Sequence, residues 1–259
     1  MNELALFAGA GGGILGGHLL GWRTVCAVEW EPYPASVLCA RQNDGFLPPF
    51  PIWDDIQTFD GRPWRGIVDV VSGGFPCQDI SAAGKGAGIE GERSGMWREM
   101  ARIIYEVRPR FVFVENSPML TSRGLGQVLG DLAQMGFNAK WGVLGAADVG
   151  APHQRDRIWI VANSKCAGLE RREDSRKEEV ARVRSCGSLD NTSCGRHIPQ
   201  EKQIRTRWDS TQHTSWWEIE PNLGRVADGV AARVDRLKAI GNGQVSEVAR
   251  RAWEVLNEA

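Results

Sequence analysis

Short apolar runs alternate with stretches of helical periodicity along the first 163 residues. ELALFA stops at a glycine, and a helix is expected through GGGILGGHLLGW. TVCAVEW reads as a second strand that closes on an acid, GIVDVVSGG as a third, RFVFVEN as a fourth and RIWIVAN as a late one. GMWREMARIIYEV puts Met96, Met100, Ile103, Ile104 and Val107 at helical intervals, and GLGQVLGDLAQMG reads as a further helix. This alternation predicts an α/β fold with a mainly parallel, doubly wound sheet. The pattern breaks after Asn163: residues 164–215 are polar and poor in strand-like runs. Regularity returns near WWEIEPNLGRVADGV, and AIGNG precedes a terminal helix, VSEVARRAWEVLNEA. The expected organisation is a large domain over 1–163, a small irregular region over 164–224 and a segment, 225–259, that returns to the large domain.

Composition narrows this picture only a little. A chain of 259 residues can bury a sizeable core, and a net charge of −1 indicates no polyanionic partner by itself, so any basic surface must be local. No run approaches the ~18 apolar residues of a membrane span, and MNELALFAGAGGG is too short and lacks the basic start of a signal peptide. A cytoplasmic protein is expected. The six cysteines form neither a CxxC pair nor a Cys/His zinc spacing, which predicts reduced thiols and no metal. Cys26 and Cys39 are expected in the core. Most of the eleven tryptophans are expected to be core or surface fillers.

Candidate chemistry gathers where strands end. LFAGAGGG carries a strand into a helix through glycines, a geometry that brings a ligand against bare backbone at a helix N-terminus. Glu29 closes the next strand about twenty residues on, where such folds bond ribose hydroxyls, and Trp30 beside it offers a face for adenine. Nicotinamide, flavin and S-adenosylmethionine proteins all fit this loop, as does tight packing with no ligand. GGFPCQDIS places Cys77 on rigid backbone just after the third strand, and Glu115 follows the fourth. Both stand at the carboxyl edge, where doubly wound sheets bind ligands, and partial burial there should raise the pKa of Glu115. In HQRDRIWIV, alternation puts His153, Arg155 and Arg157 on one face. Helix capping by Glu115 and a solvated salt-bridge strip are the plainer readings of these groups.

Taken in order, FAGAGG, Glu29–Trp30, Asp55–Ile56, GGFPCQ, Glu115–Asn116, HQRDR and GNG at 241–243 resemble the motifs of the DNA cytosine-5 methyltransferases. The resemblance spans nearly everything outside 164–215. It implies a Rossmann-like methyltransferase sheet and S-adenosylmethionine held by Phe7, Ala8, Gly9, Gly11, Gly12, Glu29, Trp30, Asp55, Ile56, Pro76 and Asn242. It also implies a covalent Cys77 adduct to a flipped-out cytosine in double-stranded DNA, with Glu115 on the ring edge and Arg155 or Arg157 on the 2-carbonyl. Ala5, His153, Ser117 and Ser246 depart from the family's common residues without removing a catalytic group.

Residues 81–95, rich in glycine, suit a mobile lid, with Gln78, Ser81, Lys85 and Arg93 as DNA contacts. Residues 164–224 fill the slot where the family reads bases, and Arg205 and Arg207 are the candidates there. A monomer is expected, and a cognate restriction nuclease is a conceivable partner. The competing readings are the same chemistry on tRNA, a catalytically silent DNA-binding relative, and a nicotinamide oxidoreductase.

Overall fold

A computed structural model describes residues 1–76, 95–164 and 233–258. Its strands are β1 (Asn2–Leu6), β2 (Arg23–Val28), β3 (Ile52–Trp53), β4 (Val70–Gly73), β5 (Phe111–Asn116), β6 (Phe137–Leu144) and β7 (Arg157–Ser164). They form one sheet in the order β3-β2-β1-β4-β5-β7-β6. Every pairing from β3 to β5 is parallel, while β7 runs antiparallel between β5 and β6. The mainly parallel expectation therefore holds, with one reversed strand. Chain order runs outward in opposite directions from β1 and β4, which opens a crevice at their carboxyl ends.

The helices are α1 (Gly12–Leu19), α2 (Pro32–Asn43), α3 (Met96–Val107), a single turn α4 (Leu120–Arg123), α5 (Leu125–Gln134), α6 (Arg233–Asn242) and α7 (Ser246–Glu258). Alternation along the central strands divides the core between the two faces. Val112, Val114, Ile158 and Ile160 meet Met100, Ile103, Ile104 and Val107 of α3. On the other face Phe113 and Trp159 pack with Trp22 and with Trp253 of α7. Trp22 and Trp253 pack edge-on there, 4.6 Å apart at 85°, while Phe113 and Trp159 stack at 21°. A smaller cluster joins Ala5, Ile14, Ala27 and Leu38 under α1 and α2.

Helix α7 reaches α1 through small residues. A Cβ added at Gly16 would stand 2.8 Å from that of Ala249, so the glycine sets the closeness of the two helices. The structure also corrects the sequence reading in detail. Trp97, not Met96, is the fully buried first-turn residue of α3, and its Nε1 donates to Asp131 Oδ2 of α5 at 2.8 Å. Cys26 is buried, which pushes its thiol up to about 11. Cys39 is exposed, because α2 turns its neighbour Leu38 into the core instead.

Candidate active site

The crevice holds a cleft with about 400 Å³ of empty space, part of it open to solvent, and Phe7, Ala8, Gly9, Gly73, Gly74 and Glu115 are among its lining residues. The loop from β1 to α1 is sharply bent: Phe7 has φ +51°, Gly9 +55° and Gly11 +92°. A left-handed conformation is costly for a bulky residue, on the order of 1 kcal/mol or more, and the surrounding bonds hold it. Glu29 does much of this. Buried just beyond β2, it accepts the Gly9 N–H on Oε2 at 2.6 Å and the Glu31 N–H on Oε1 at 2.8 Å. Burial raises its pKa, against the pull of those two amides. Each carboxylate oxygen keeps a further acceptor site.

Glu115, near the end of β5, lies at the inner wall of the cleft. Its Oε1 meets Arg157 Nε at 2.9 Å, and its Oε2 accepts from Gln244 Nε2 at 3.4 Å. Burial raises its pKa and outweighs the opposing influence of Arg157, Arg155 and the Gln244 bond. A carboxyl that holds its proton more tightly than an ordinary one, pressed against a guanidinium, can donate to a ring nitrogen and accept from an amine. Arg155 points elsewhere. Its Nη2 donates to the Gly241 carbonyl at 2.7 Å and to that of Gly243, so it ties down the turn between α6 and α7. Burial, then the neighbouring Arg157, lowers its pKa.

The next residue, Asn116, is buried, and its Nδ2 donates to the Phe75 carbonyl at 3.0 Å. This bond fixes the chain two residues before Cys77. The loop after β3 is set by Arg102 of α3, which donates to the Ile56 carbonyl at 2.7 Å and to that of Phe59 at 3.0 Å.

The structure thus brings Phe7, Ala8, Gly9, Glu115 and Asn242 to one cleft, with Arg157 on Glu115 and Glu29 behind the loop. Other expected cofactor residues stand off it. Ile56 is packed in the core, and Asp55 Oδ1 accepts the Gln57 N–H at 2.9 Å. Trp30 is 70% exposed, and Pro76 follows the lining glycines. Gly11 and Gly12 serve the packing of the chain on itself: added Cβ atoms would lie 2.8 Å from Leu38 Cδ2 and 2.2 Å from the Gln244 carbonyl oxygen. Cys77, Gln78, Ser81, Lys85, Arg93, Arg205 and Arg207 lie outside the described residues, as do the expected lid and base-reading region. Gln244 and Arg102 carry no sequence motif, and Asn116 is legible only as the neighbour of Glu115; each acts through a contact remote in the chain.

The family model for C-5 cytosine-specific DNA methylases matches residues 1–253. The chain belongs to that family. Its motif order had pointed there, and the methylase match now covers both chain segments that meet at the cleft. Among curated relatives, type II methyltransferase M.NgoBI of Neisseria gonorrhoeae is 36% identical over 167 residues, covering 63% of this chain and 50% of its own. Type II methyltransferase M.Eco47II of Escherichia coli is 35% identical over 170 residues, 61% of this chain and 38% of its own. The matched parts therefore span half or less of those two methylases. In fold, the chain is similar to the solved structure of the Entamoeba histolytica methyltransferase EhMeth, with a TM-score of 0.54 at 16% identity over 63% of this chain and 52% of that one.

Among the described residues, no group of three or more His, Cys, Asp and Glu side chains is placed to hold a metal ion. No described helix is long and apolar enough to cross a membrane.

Proposed function

We propose that the protein methylates carbon 5 of cytosine in double-stranded DNA with S-adenosylmethionine as donor. The observation that carries this reading is the Glu115–Arg157 pair at the wall of a glycine-lined cleft, in a chain of the cytosine-5 methylase family.

The residues fit such a cofactor. Bare backbone at Gly9, Gly73 and Gly74 admits close approach, and Glu29 keeps acceptor capacity for hydroxyl groups. When bound, S-adenosylmethionine supplies an electrophilic methyl group. Trp30 and Asp55 are assigned to the adenine side and Asn242 to the opposite wall.

Carbon 5 of cytosine is a weak nucleophile, and the protein's task is to enrich it in electrons. Cys77 attacks carbon 6 as a thiolate, and the new carbon–sulfur bond pushes an electron pair into the ring. Glu115 donates its proton to N3 and accepts from the exocyclic amine. Arg157 holds the 2-carbonyl side, where negative charge grows. After methylation, loss of the carbon-5 proton expels Cys77 and restores the ring. The target must leave the duplex, at a cost of a few kcal/mol, which contacts from Gln78, Ser81, Lys85 and Arg93 help to offset. Arg205 and Arg207 are assigned to DNA in the recognition region. The protein acts as a monomer in the cytoplasm, with or without a cognate nuclease.

The test uses tritiated S-adenosylmethionine with DNA and tRNA as acceptors. Label in DNA with wild type and none with Cys77→Ala is expected. Label confined to tRNA, or equal label with the variant, overturns the reading.

A further inference from the structure

We propose that Gln244 is a positioning residue for Glu115, tying that carboxyl to the glycine loop that builds the cleft. The inference rests on the role just given to Glu115. Three features of the structure support it.

The carboxyl is held from two sides by different groups. Arg157 occupies Oε1 and Gln244 Nε2 reaches Oε2, so rotation of the carboxyl breaks one contact or the other. Gln244 Nε2 thus donates to the oxygen that the guanidinium leaves free.

The space for this pair is made by glycines from two loops. A Cβ added at Gly13 would lie 2.4 Å from Gln244 Oε1, and one at Gly12 would lie 2.2 Å from its backbone carbonyl. A Cβ at Gly74 would lie 2.6 Å from Glu115 Oε2 and 3.1 Å from Gln244 Nε2. Bare backbone on both loops is filled by this one side chain and its partner, so the cofactor loop and the acid share a common spacer.

The turn that presents Gln244 is itself fixed. Arg155 holds the carbonyls on either side of Asn242, and α7 is seated on α1 at Gly16 and Ala249. Among the described residues, the charged groups facing Glu115 are Arg157 and Arg155, both from the chain entering β7.

The experiment is a carbon-13 NMR titration of the Glu115 carboxyl in the full chain, free of DNA and cofactor, for wild type, Gln244→Met and Gln244→Glu. Methyl transfer to DNA is followed against pH in parallel. Gln244→Met keeps the length and removes the donor, so Glu115 should titrate at higher pH than in wild type. Gln244→Glu adds a like charge and should move it higher still. Through loss of the orienting hydrogen bond kcat should fall about tenfold for Gln244→Met, while the falling limb of its pH profile moves up with the Glu115 titration. Should Gln244→Met fail to fold, Gln244→Asn withdraws the same donor on a shorter stem and is read instead. Superimposed Glu115 titrations overturn the proposal, even if melting temperature or cofactor affinity drops, since a spacer alone does that. Because the titration needs no substrate, wild type that fails to methylate DNA while the titrations shift sinks the proposed function and leaves the positioning role standing.

Discussion

Glu115 and Glu3 are both buried carboxyls, yet their surroundings set them to different work. Glu115 faces an open cleft and a guanidinium; Glu3, in β1 under the sheet, accepts from Thr24 Oγ1 at 2.7 Å and Ser72 Oγ at 2.6 Å. Replacing Glu115 by Gln removes the proton it donates while keeping its shape. Methyl transfer should fall by about 10²-fold or more, read as kcat, with the melting temperature little changed. Because burial raises the Glu115 pKa, transfer in wild type should decline as pH rises through a value above the ordinary carboxylate range.

Glu3 carries a stability effect instead. Burial raises its pKa from 4.5 to about 7, so the folded state binds more protons than the unfolded chain between those values. The associated stability is fully present below pH 4.5 and is lost as pH rises through about 7; the shift amounts to roughly 3 kcal/mol. Thermal melts of Glu3→Gln against wild type from pH 5 to pH 8.5 should show this decline flattened in the variant. Parallel curves would count against a protonated Glu3.

At the scale of elements, the glycines separate into those that admit another part of the chain and those that face open space. Gly12→Ala would press a methyl group into the Gln244 carbonyl at 2.2 Å and should cost about 1–3 kcal/mol while weakening cofactor binding. Gly130→Ala, in α5 with nothing within 4 Å, should stabilise by about 0.5–1 kcal/mol. Denaturant titrations of the two variants test both signs.

These contrasts also mark what the sequence made legible. β1 and β5 stand out as short continuous apolar runs, and α3 because its buried positions recur at helical intervals. β6 does not, since it is an edge strand that mixes exposed Asn138 and Val143 with buried Phe137 and Leu144. α2 is equally hard to read: its two prolines look like breakers, although Pro32 opens the helix, where a missing N–H costs nothing. The glycine loop was visible as a motif, but that Gly12 and Gly13 admit Gln244 was not. No local pattern links residues more than two hundred positions apart.

Over the whole molecule, the terminal helix completes a core that the earlier strands leave open. Trp253 of α7 lies within ring contact of Trp22, just before β2, and of Phe111 and Phe113 in β5. Trp253→Ala should therefore cost about 3–5 kcal/mol, seen as a large drop in melting temperature, and should loosen the turn that bears Gln244. The same closure joins the two halves of the cleft, since Gly9 and Glu115 come from early strands and Asn242 and Gln244 from the late segment.

The central claim is that this cleft serves a covalent reaction on cytosine. Duplex DNA carrying 5-fluorodeoxycytidine, incubated with the protein and S-adenosylmethionine, tests it most directly, because fluorine blocks the loss that would release the enzyme. A denaturant-resistant protein–DNA complex is expected with wild type and none with Cys77→Ala. A wild-type protein that binds this DNA without forming the complex, or a complex that survives in Cys77→Ala, would contradict it.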